Sequence, residues 1–283
     1  MPLFYHTSPA FLAFSSKVIL RKATACLHAF ILICADSIAV GMVIDMIYFL
    51  TSSPCVVGSP ALNPMNGFVE ELQRVLSEPC SALFICSDPD QPSLTYGFAE
   101  DMRDSFAEIG VTLTDVSVLE RENQDQCEEL VANAGLIFLT GGHVPTQNLF
   151  FQEIGLRELL QIWDGIVIGV SAGSMNAADV VYAQPEEPGE AIDPDYQRFL
   201  RGLGLTGRMT IPHYNQDKDW LLDGMRLYED ITYADSVGHS FYVLVDGSYI
   251  LGRDGQEKLR GEAYLIKDAL IRQIGWEGDT ILL

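Results

Sequence analysis

A serine in a sharp-turn motif is the residue of this chain whose type and surroundings most clearly indicate chemical reactivity. Residues 166–176 read IVIGVSAGSMN, so an apolar run enters Gly-x-Ser-x-Gly at 169–173 and a helix-capable stretch follows. Small residues at these positions permit a tight strand-to-helix turn that presents the serine hydroxyl at the sheet edge. The first N–H groups of the following helix, beginning with Ala172, could stabilise a developing oxyanion. This context favours Ser171 as a nucleophile over an ordinary capping serine.

A glycine pair ends a second apolar run, in residues 136–143, which read LIFLTGGH. Such a pair lets the backbone approach a ligand closely at the strand ends where α/β proteins bind substrates. The Gly142 N–H is therefore the candidate for a second oxyanion donor. Taken alone, the pair also fits a simple strand-terminating turn.

A serine nucleophile needs a base, and histidine is the usual one. His213 follows an apolar stretch and the rigid Pro212, which indicates a held geometry. His143 is the rival base, because it would lie near Ser171 if the two strands are neighbours. For any single histidine, a surface or hydrogen-bonded core position is the alternative interpretation.

The third member of such a site is a carboxylate that orients the imidazole. Asp246 is one candidate, although Asp-Gly at 246–247 is also typical of a hairpin turn. Glu186, Glu187 and Glu190, in the loop after the serine helix, are alternatives. Those three also fit a solvated run of charge.

The elements that must position these residues alternate between strands and helices. Apolar runs predict strands at 47–51, 82–86, 111–118, 136–140 and 166–170, with helices between them at 67–76, 99–109, 124–132 and 147–163. This alternation predicts a single α/β domain whose central, mostly parallel sheet is flanked by helices. A Pro- and acid-rich surface loop follows at 182–196, and short antiparallel strands are predicted near the C-terminus at 241–246, 248–251, 263–267 and 271–274.

The charge of the chain excludes some classes of function. The 283 residues include 39 acidic and 17 basic side chains, for a net charge of −22, and 48% are apolar. This apolar content excludes a disordered chain, and the absence of basic clusters argues against nucleic acid or an anionic membrane surface as partner.

The six cysteines form no Cys-x-x-Cys pair and have no zinc-like spacing with histidine, so we expect cytosolic thiols, no metal and no cofactor.

Residues 1–45 differ from the rest of the chain. They carry three basic and two acidic side chains, so residues 46–283 hold a net charge of −23. This apolar extension fits a membrane anchor, a signal peptide, or a misassigned start that precedes a working chain beginning near Met46. We therefore expect a cytoplasmic protein with the hydrolytic domain at 46–283, or a membrane-anchored or exported one if the extension is real.

Taken in their order along the chain, the motifs and strands described above for residues 46–283 resemble those of the peptidase E (aspartyl dipeptidase) and cyanophycinase-like serine hydrolases. The fold of these enzymes is similar to that of class I glutamine amidotransferases. The resemblance rests on the strand at 47–51, the glycine pair at 141–142, the elbow at 170–173, Pro-His-Tyr at 212–214 and LVDGSYI at 244–250. It covers nearly all of 46–283 and none of 1–45.

The resemblance implies roles for individual residues. It makes Ser171 the nucleophile and His213 the general base and then acid, with Gly142 and Ala172 as oxyanion donors. Asp246 stands where related enzymes can carry Glu, and the region of Glu186 and Glu187 is another in which an acidic partner has been assigned. His143 stands where relatives frequently carry a small polar residue such as Asn.

The expected function is that of a serine peptidase acting on small peptides, dipeptidase-like and including Asp-X as a substrate class, as a monomer or homodimer. An Asp preference requires a cation, for which Lys218 and Arg226 are candidates, whereas the acidic loop at 186–190 could instead hold a substrate amino group.

Two alternatives are an inactive binding module of the same fold and an α/β-hydrolase-type esterase. The esterase would follow the order Ser, acid, His, and so requires His239 with an acid such as Asp219 or Asp235.

Overall fold

The computed structural model describes residues 46–77 and 79–283. The predictions for residues 1–45 lie outside this described part. Of the helices in the described part, none combines the length and the apolar character that crossing a membrane requires.

Sixteen strands are present in the described residues. They are β1 Ile47–Thr51, β2 Cys80–Ile85, β3 Leu113–Leu119, β4 Leu136–Leu139, β5 Ile166–Val170, β6 Val180–Tyr182, β7 Phe199–Arg201, β8 Met209–Ile211, β9 Leu221–Leu222, β10 Met225–Arg226, β11 Ser240–Leu244, β12 Tyr249–Arg253, β13 Gln256–Arg260, β14 Ala263–Lys267, β15 Leu270–Gly275 and β16 Thr280–Leu282.

The helices lie mainly between the first five strands. They are α1 Phe68–Val75, α2 Ser93–Glu108, α3 Cys127–Asn133, α4 Val144–Glu153, α5 Leu156–Leu160, α6 Ala172–Asn176, α7 Tyr214–Asp217 and α8 Tyr233–Asp235. Short 3-10 segments at Met65–Gly67 and Arg121–Gln126 and a π-helix at Leu227–Thr232 complete the set.

The central sheet has eight strands in the order β16-β13-β12-β1-β5-β4-β2-β3. The five strands from β1 to β3 in this order run parallel, whereas the pairs β1–β12, β12–β13 and β13–β16 are each antiparallel. Strand β4 is buried along its whole length, as its unbroken apolar run predicts for a strand covered on both faces. A second sheet, in the order β15-β14-β11-β8, carries three of the four C-terminal strands predicted to be antiparallel, whereas the one predicted at 248–251 corresponds to β12 of the central sheet.

The strand register sets the location of the site. Thr51 pairs with Val170, and Leu139 pairs with Gly169, so β1, β4 and β5 end at the same edge of the sheet. The residues that follow these ends therefore lie side by side.

Three sequence predictions about elements are wrong in detail. The helix predicted at 147–163 is two helices, α4 and α5, because Gly155 between them has a φ of +62° and ends the first one. The Asp-Gly at 246–247 does form a turn, but not a hairpin, since β11 and β12 on either side belong to different sheets. The predicted surface loop at 182–196 begins with buried residues and is exposed only in part.

Glycines at the turn after β5 allow the helix to pack closely on its neighbours. A Cβ at Gly173 would lie 2.0 Å from the carbonyl oxygen of Leu139 in β4. The clash would be with backbone, which cannot move as a flexible side chain can. Gly173 is thus required by the close approach of α6 to β4.

We expect Gly173→Ala to lower the free energy of unfolding by roughly 1–3 kcal/mol or more, as overpacking against a rigid neighbour does. Gly97→Ala is the matched control, because Gly97 lies inside α2 and a Cβ there would contact nothing within 4 Å. That control should raise the free energy of unfolding by about 0.4–1 kcal/mol. Urea unfolding of both variants tests this, and equal stabilities would contradict the packing argument.

Candidate active site

Ser171 occupies a strained turn between β5 and α6. Its φ of +50° and ψ of −113° lie outside the regions that L-residues ordinarily adopt, a conformation that costs roughly 1–3 kcal/mol. The turn places the Ser171 side chain at the edge of the sheet where β1, β4 and β5 end, which is the geometry that a nucleophile elbow provides. The Ser171 hydroxyl makes no hydrogen bond to another described residue and remains free for a reacting group.

The end of β1 holds this turn in place through Thr51. Its carbonyl oxygen accepts hydrogen bonds from the Ser171 N–H at 3.2 Å and from the Ser174 hydroxyl at 2.8 Å. The Thr51 hydroxyl donates to the carbonyl of Gly169 at 2.7 Å. One residue therefore fixes both sides of the elbow.

His213 and Asp246 are joined by a hydrogen bond. Nδ1 of His213 lies 2.8 Å from Oδ1 of Asp246, between two segments 33 residues apart in the chain. His213 stands just before α7 with a φ of +57°, which turns the chain sharply after β8. The bond engages Nδ1, so Nε2 is the ring nitrogen that is left for proton transfer.

Sequence reasoning missed two residues that hold this pair. The buried Ser52 hydroxyl donates to Oδ1 of Asp246 at 2.6 Å and accepts from the His213 N–H at 2.8 Å. Gln216 Nε2 donates to Oδ2 of Asp246 at 2.5 Å. Only the position of Ser52, directly after a strand of the predicted sheet, could have drawn attention to it.

The surroundings of His213 favour its charged form. Burial lowers its pKa, but the hydrogen bond that His213 donates to Asp246 and the negative charges of Asp246, Asp217 and Glu186 outweigh burial and hold the pKa above its usual value of 6.5. Burial raises the pKa of Asp246, and hydrogen bonds from His213, Ser52 and Gln216 outweigh this effect and lower the pKa.

Two backbone N–H groups are free near Ser171. Ala172 is the first residue of α6, and Gly142 follows β4, whose end lies beside that of β5. Within the described chain, neither the Gly142 N–H nor the Ala172 N–H donates a hydrogen bond to a protein group. Free N–H groups of this kind can bind an oxyanion.

A small cleft of about 50 Å³ joins these groups. Its lining residues are Gly142, Val144, Ser171, Met175, Gln184, Pro185, Glu186, Pro212, His213, Asp217, Trp220 and Leu227. The candidate nucleophile and the candidate base thus share one cleft, together with two carboxylates.

The predicted acidic loop folds over one side of this cleft. The Val144 N–H donates to Oε1 of Glu186 at 3.0 Å, and Nε2 of His143 lies 2.8 Å from Oε1 of Glu190. Oε2 of Glu190 accepts from the N–H groups of Glu186 and Glu187. Burial raises the pKa of Glu186, whereas the backbone and His143 contacts lower that of Glu190 despite its burial.

His143 anchors this loop. Its other ring nitrogen, Nδ1, lies 2.7 Å from the Thr146 hydroxyl, so both nitrogens are engaged. His143, Glu187 and Glu190 bring ligand-type atoms within 4.8 Å of one another, which is close enough for a metal ion. The contacts of His143 with Thr146 and Glu190, and the hydrogen bond from the Glu187 N–H to Glu190, hold the three residues together.

The remaining candidates lie elsewhere. His239 stacks on Phe199, with ring centroids 4.3 Å apart, and does not line the cleft. Arg226 is engaged by Asp230 through Nη2 at 2.5 Å and Nε at 3.0 Å. Neither Arg226 nor the exposed Lys218 lines the cleft.

Comparison with solved structures places the fold among peptidases. The crystal structure of a peptidase from an acI-B1 Actinobacterium matches with a TM-score of 0.57 and 20% identity, over 84% of this chain and 96% of that one. A putative peptidase E protein from Listeria monocytogenes EGD-e matches with a TM-score of 0.52 and 16% identity, over 81% and 99%. Both likenesses confirm the predicted α/β fold class.

Comparison of the sequence with known families supplies the assignment. No curated protein matches the chain. The sequence model of peptidase family S51 matches residues 61–259, which is more than half of the chain and includes the elbow, the glycine pair, His213 and Asp246. The chain therefore belongs to peptidase family S51 and is a serine-type peptidase.

Proposed function

We propose that this peptidase hydrolyses short peptides with Ser171 as nucleophile, His213 as base and Asp246 as the orienting carboxylate, within a domain formed by residues 46–283. The observation that carries the proposal is the 2.8 Å contact between His213 Nδ1 and Asp246, in the cleft that also contains the strained Ser171. A base held in one tautomer by a carboxylate, in the same cleft as a serine hydroxyl, is the arrangement that acyl transfer to serine requires.

In the proposed reaction, Nε2 of His213 takes the Ser171 proton as Oγ bonds to the scissile carbonyl carbon. The N–H groups of Gly142 and Ala172 stabilise the oxyanion, and each donor contributes about 3–4 kcal/mol to transition-state stabilisation. Imidazolium then protonates the leaving amine as the C–N bond breaks. Water hydrolyses the acyl-enzyme by the same steps, with His213 again as base.

The contacts of the rival residues support this choice. His143 has both ring nitrogens occupied and His239 is packed against aromatic rings, so neither has a free nitrogen in the cleft. The four cysteines of the described chain are free thiols, as is usual in the cytoplasm, where we propose that the enzyme acts.

Ser171→Ala should reduce kcat/KM for a short peptide by roughly 10⁴-fold or more, because the acyl-enzyme can no longer form. Thermal unfolding should change little, since alanine adds no atom and the lost hydroxyl has no partner in the described chain. Hydrolysis at the wild-type rate by a folded Ser171→Ala protein would exclude Ser171. An inactive wild-type enzyme would instead favour the binding-module alternative.

His213→Ala should lower kcat by at least about 10²-fold, the usual contribution of a general base. His143→Ala should lower kcat less than about tenfold, because it removes only hydrogen bonds to the loop and to Thr146. Steady-state kinetics of the two variants, with His239→Ala as a third, separate the candidates. A larger loss in either of the other two variants would reassign the base.

The acid limb of the pH profile should reflect His213. Its neutral form is the base, and Asp246, Asp217 and Glu186 raise its pKa. As the pH is lowered, kcat/KM should therefore fall with a midpoint above pH 6.5. Asp217→Asn removes one of these negative charges, disfavours the imidazolium and should move the midpoint to lower pH. An unchanged or higher midpoint would contradict the assignment.

A further inference from the structure

A second cavity reaches Asp246 from outside the active-site cleft. Its volume is about 500 Å³, and Asp246 lines it without lining the cleft that contains Ser171 and His213. We call this cavity the α2 groove. It is bounded by residues 53 and 55–60 of the loop after β1, by Phe98, Asp101 and Met102 of α2, and by Asp246.

The wall of the α2 groove offers apolar surface to a ligand. Val56 and Val57 are 39% and 73% exposed, and Phe98 is only partly buried although it packs against the core. Covering exposed apolar side chains lowers the free energy roughly in proportion to the area removed from water. A ligand with an apolar body would therefore gain affinity from this wall.

The charged groups of the α2 groove are acidic. Asp101 and Asp246 line it, and no lysine, arginine or histidine of the described chain does. Asp101 is exposed, and within the described residues its carboxylate accepts no hydrogen bond and forms no ion pair. Burial and then the charge of Asp101 raise the pKa of the Cys55 thiol to about 11, so this thiol is neutral at pH 7. A ligand that complements the groove therefore carries a positive charge.

Asp246 has hydrogen-bonding capacity to spare. A carboxylate offers about four acceptor positions. Three are used, because Ser52 and His213 contact Oδ1 and Gln216 donates to Oδ2. The Asp246 side chain is 11% exposed. A donor in the α2 groove is thus next to a carboxylate whose acceptor positions are not all filled.

We propose that the α2 groove binds an organic cation, an amine with one ammonium group and a compact apolar body. The charges of Asp101 and Asp246 attract the ammonium, and the apolar body covers Val57 and Phe98. The volume of the groove lies within the range of about 300–1,000 Å³ that is typical of small-molecule sites.

A cation in the α2 groove also affects the rate of the reaction. It competes with the imidazolium of His213 for the negative charge of Asp246, and this makes His213 a weaker base. The ligand therefore lowers kcat without occupying the active-site cleft. This effect on the rate rests on the proposed function, whereas binding itself does not.

Binding is tested by isothermal titration calorimetry of the full-length Ser171→Ala protein with 2-phenylethylammonium. The neutral analogue 2-phenylethanol should bind at least roughly tenfold more weakly, because it lacks the charge that strengthens hydrogen bonds to carboxylates. Adding Asp101→Asn should weaken binding of the amine by about fivefold, the upper range for an exposed charge pair. Adding Val57→Ser should weaken it by about the same factor through the loss of apolar contact.

Glu100→Gln is the matched control, because Glu100 is exposed, precedes Asp101 in α2 and does not line the groove. It removes one negative charge and should leave binding of the amine unchanged. The inference is overturned if Asp101→Asn and Glu100→Gln have equal effects, or if 2-phenylethanol binds as tightly as the amine.

Steady-state kinetics of the wild-type enzyme test the effect on the rate. Saturating amine should lower kcat by roughly threefold or more, as weakening of a general base does, and leave the KM for a short peptide nearly unchanged. A rise in KM alone would place the amine in the active-site cleft beside Asp217 and Glu186, and would overturn the inference. An unchanged kcat in the presence of bound amine would refute the coupling through Asp246.

These results are distinguishable from failure of the proposed function, because the calorimetry uses a variant that needs no turnover. Binding that depends on Asp101, in a wild-type protein that hydrolyses no peptide, would contradict the proposed function alone. Ser171-dependent hydrolysis in a protein that does not bind the amine would overturn this inference alone.

Discussion

The hydrogen bonds at the end of β1 are the constraint on which the site depends. Thr51 fixes the elbow through the Ser171 N–H and the Gly169 carbonyl, and Ser52 links the His213 backbone to the Asp246 carboxylate. Two adjacent residues therefore connect the proposed nucleophile with the proposed base and its carboxylate. Because β1 lies between β5 and β12 in the central sheet, these connections rest on a strand that is paired on both sides.

Acidic residues around His213 determine the electrostatics of the site. Asp246 holds the imidazole by a direct contact, whereas Asp217 and Glu186 act on it by charge. The same two carboxylates line the cleft.

The sequence predicts the elements that depend on local pattern. The bounds of β1, β5 and β14 agree with the predicted strands, because unbroken apolar runs bounded by polar or turn residues leave little freedom. The elbow is recognisable for a similar reason. Its pattern spans only five consecutive residues, and close packing against the neighbouring backbone requires its glycines. These features carried the identification of Ser171 as a candidate.

Contacts between distant segments could not be predicted. Ser52 and Asp246 are 194 residues apart, and no local pattern states that they meet. The same holds for Gln216, for the crossing of the chain between two sheets at residue 246, and for Asp217, which the sequence presents as one of many surface acids. Their positions follow from how the second sheet packs beside the first, which is a tertiary property.

The most direct test of the proposed catalytic site is a crystal structure of the enzyme after reaction with a peptidyl phosphonate. The proposed roles predict a covalent bond from phosphorus to Ser171 Oγ, with a phosphoryl oxygen within hydrogen-bond distance of the Gly142 and Ala172 N–H groups and His213 Nε2 adjacent. An adduct on another residue, or a phosphoryl oxygen turned away from both N–H groups, would contradict them.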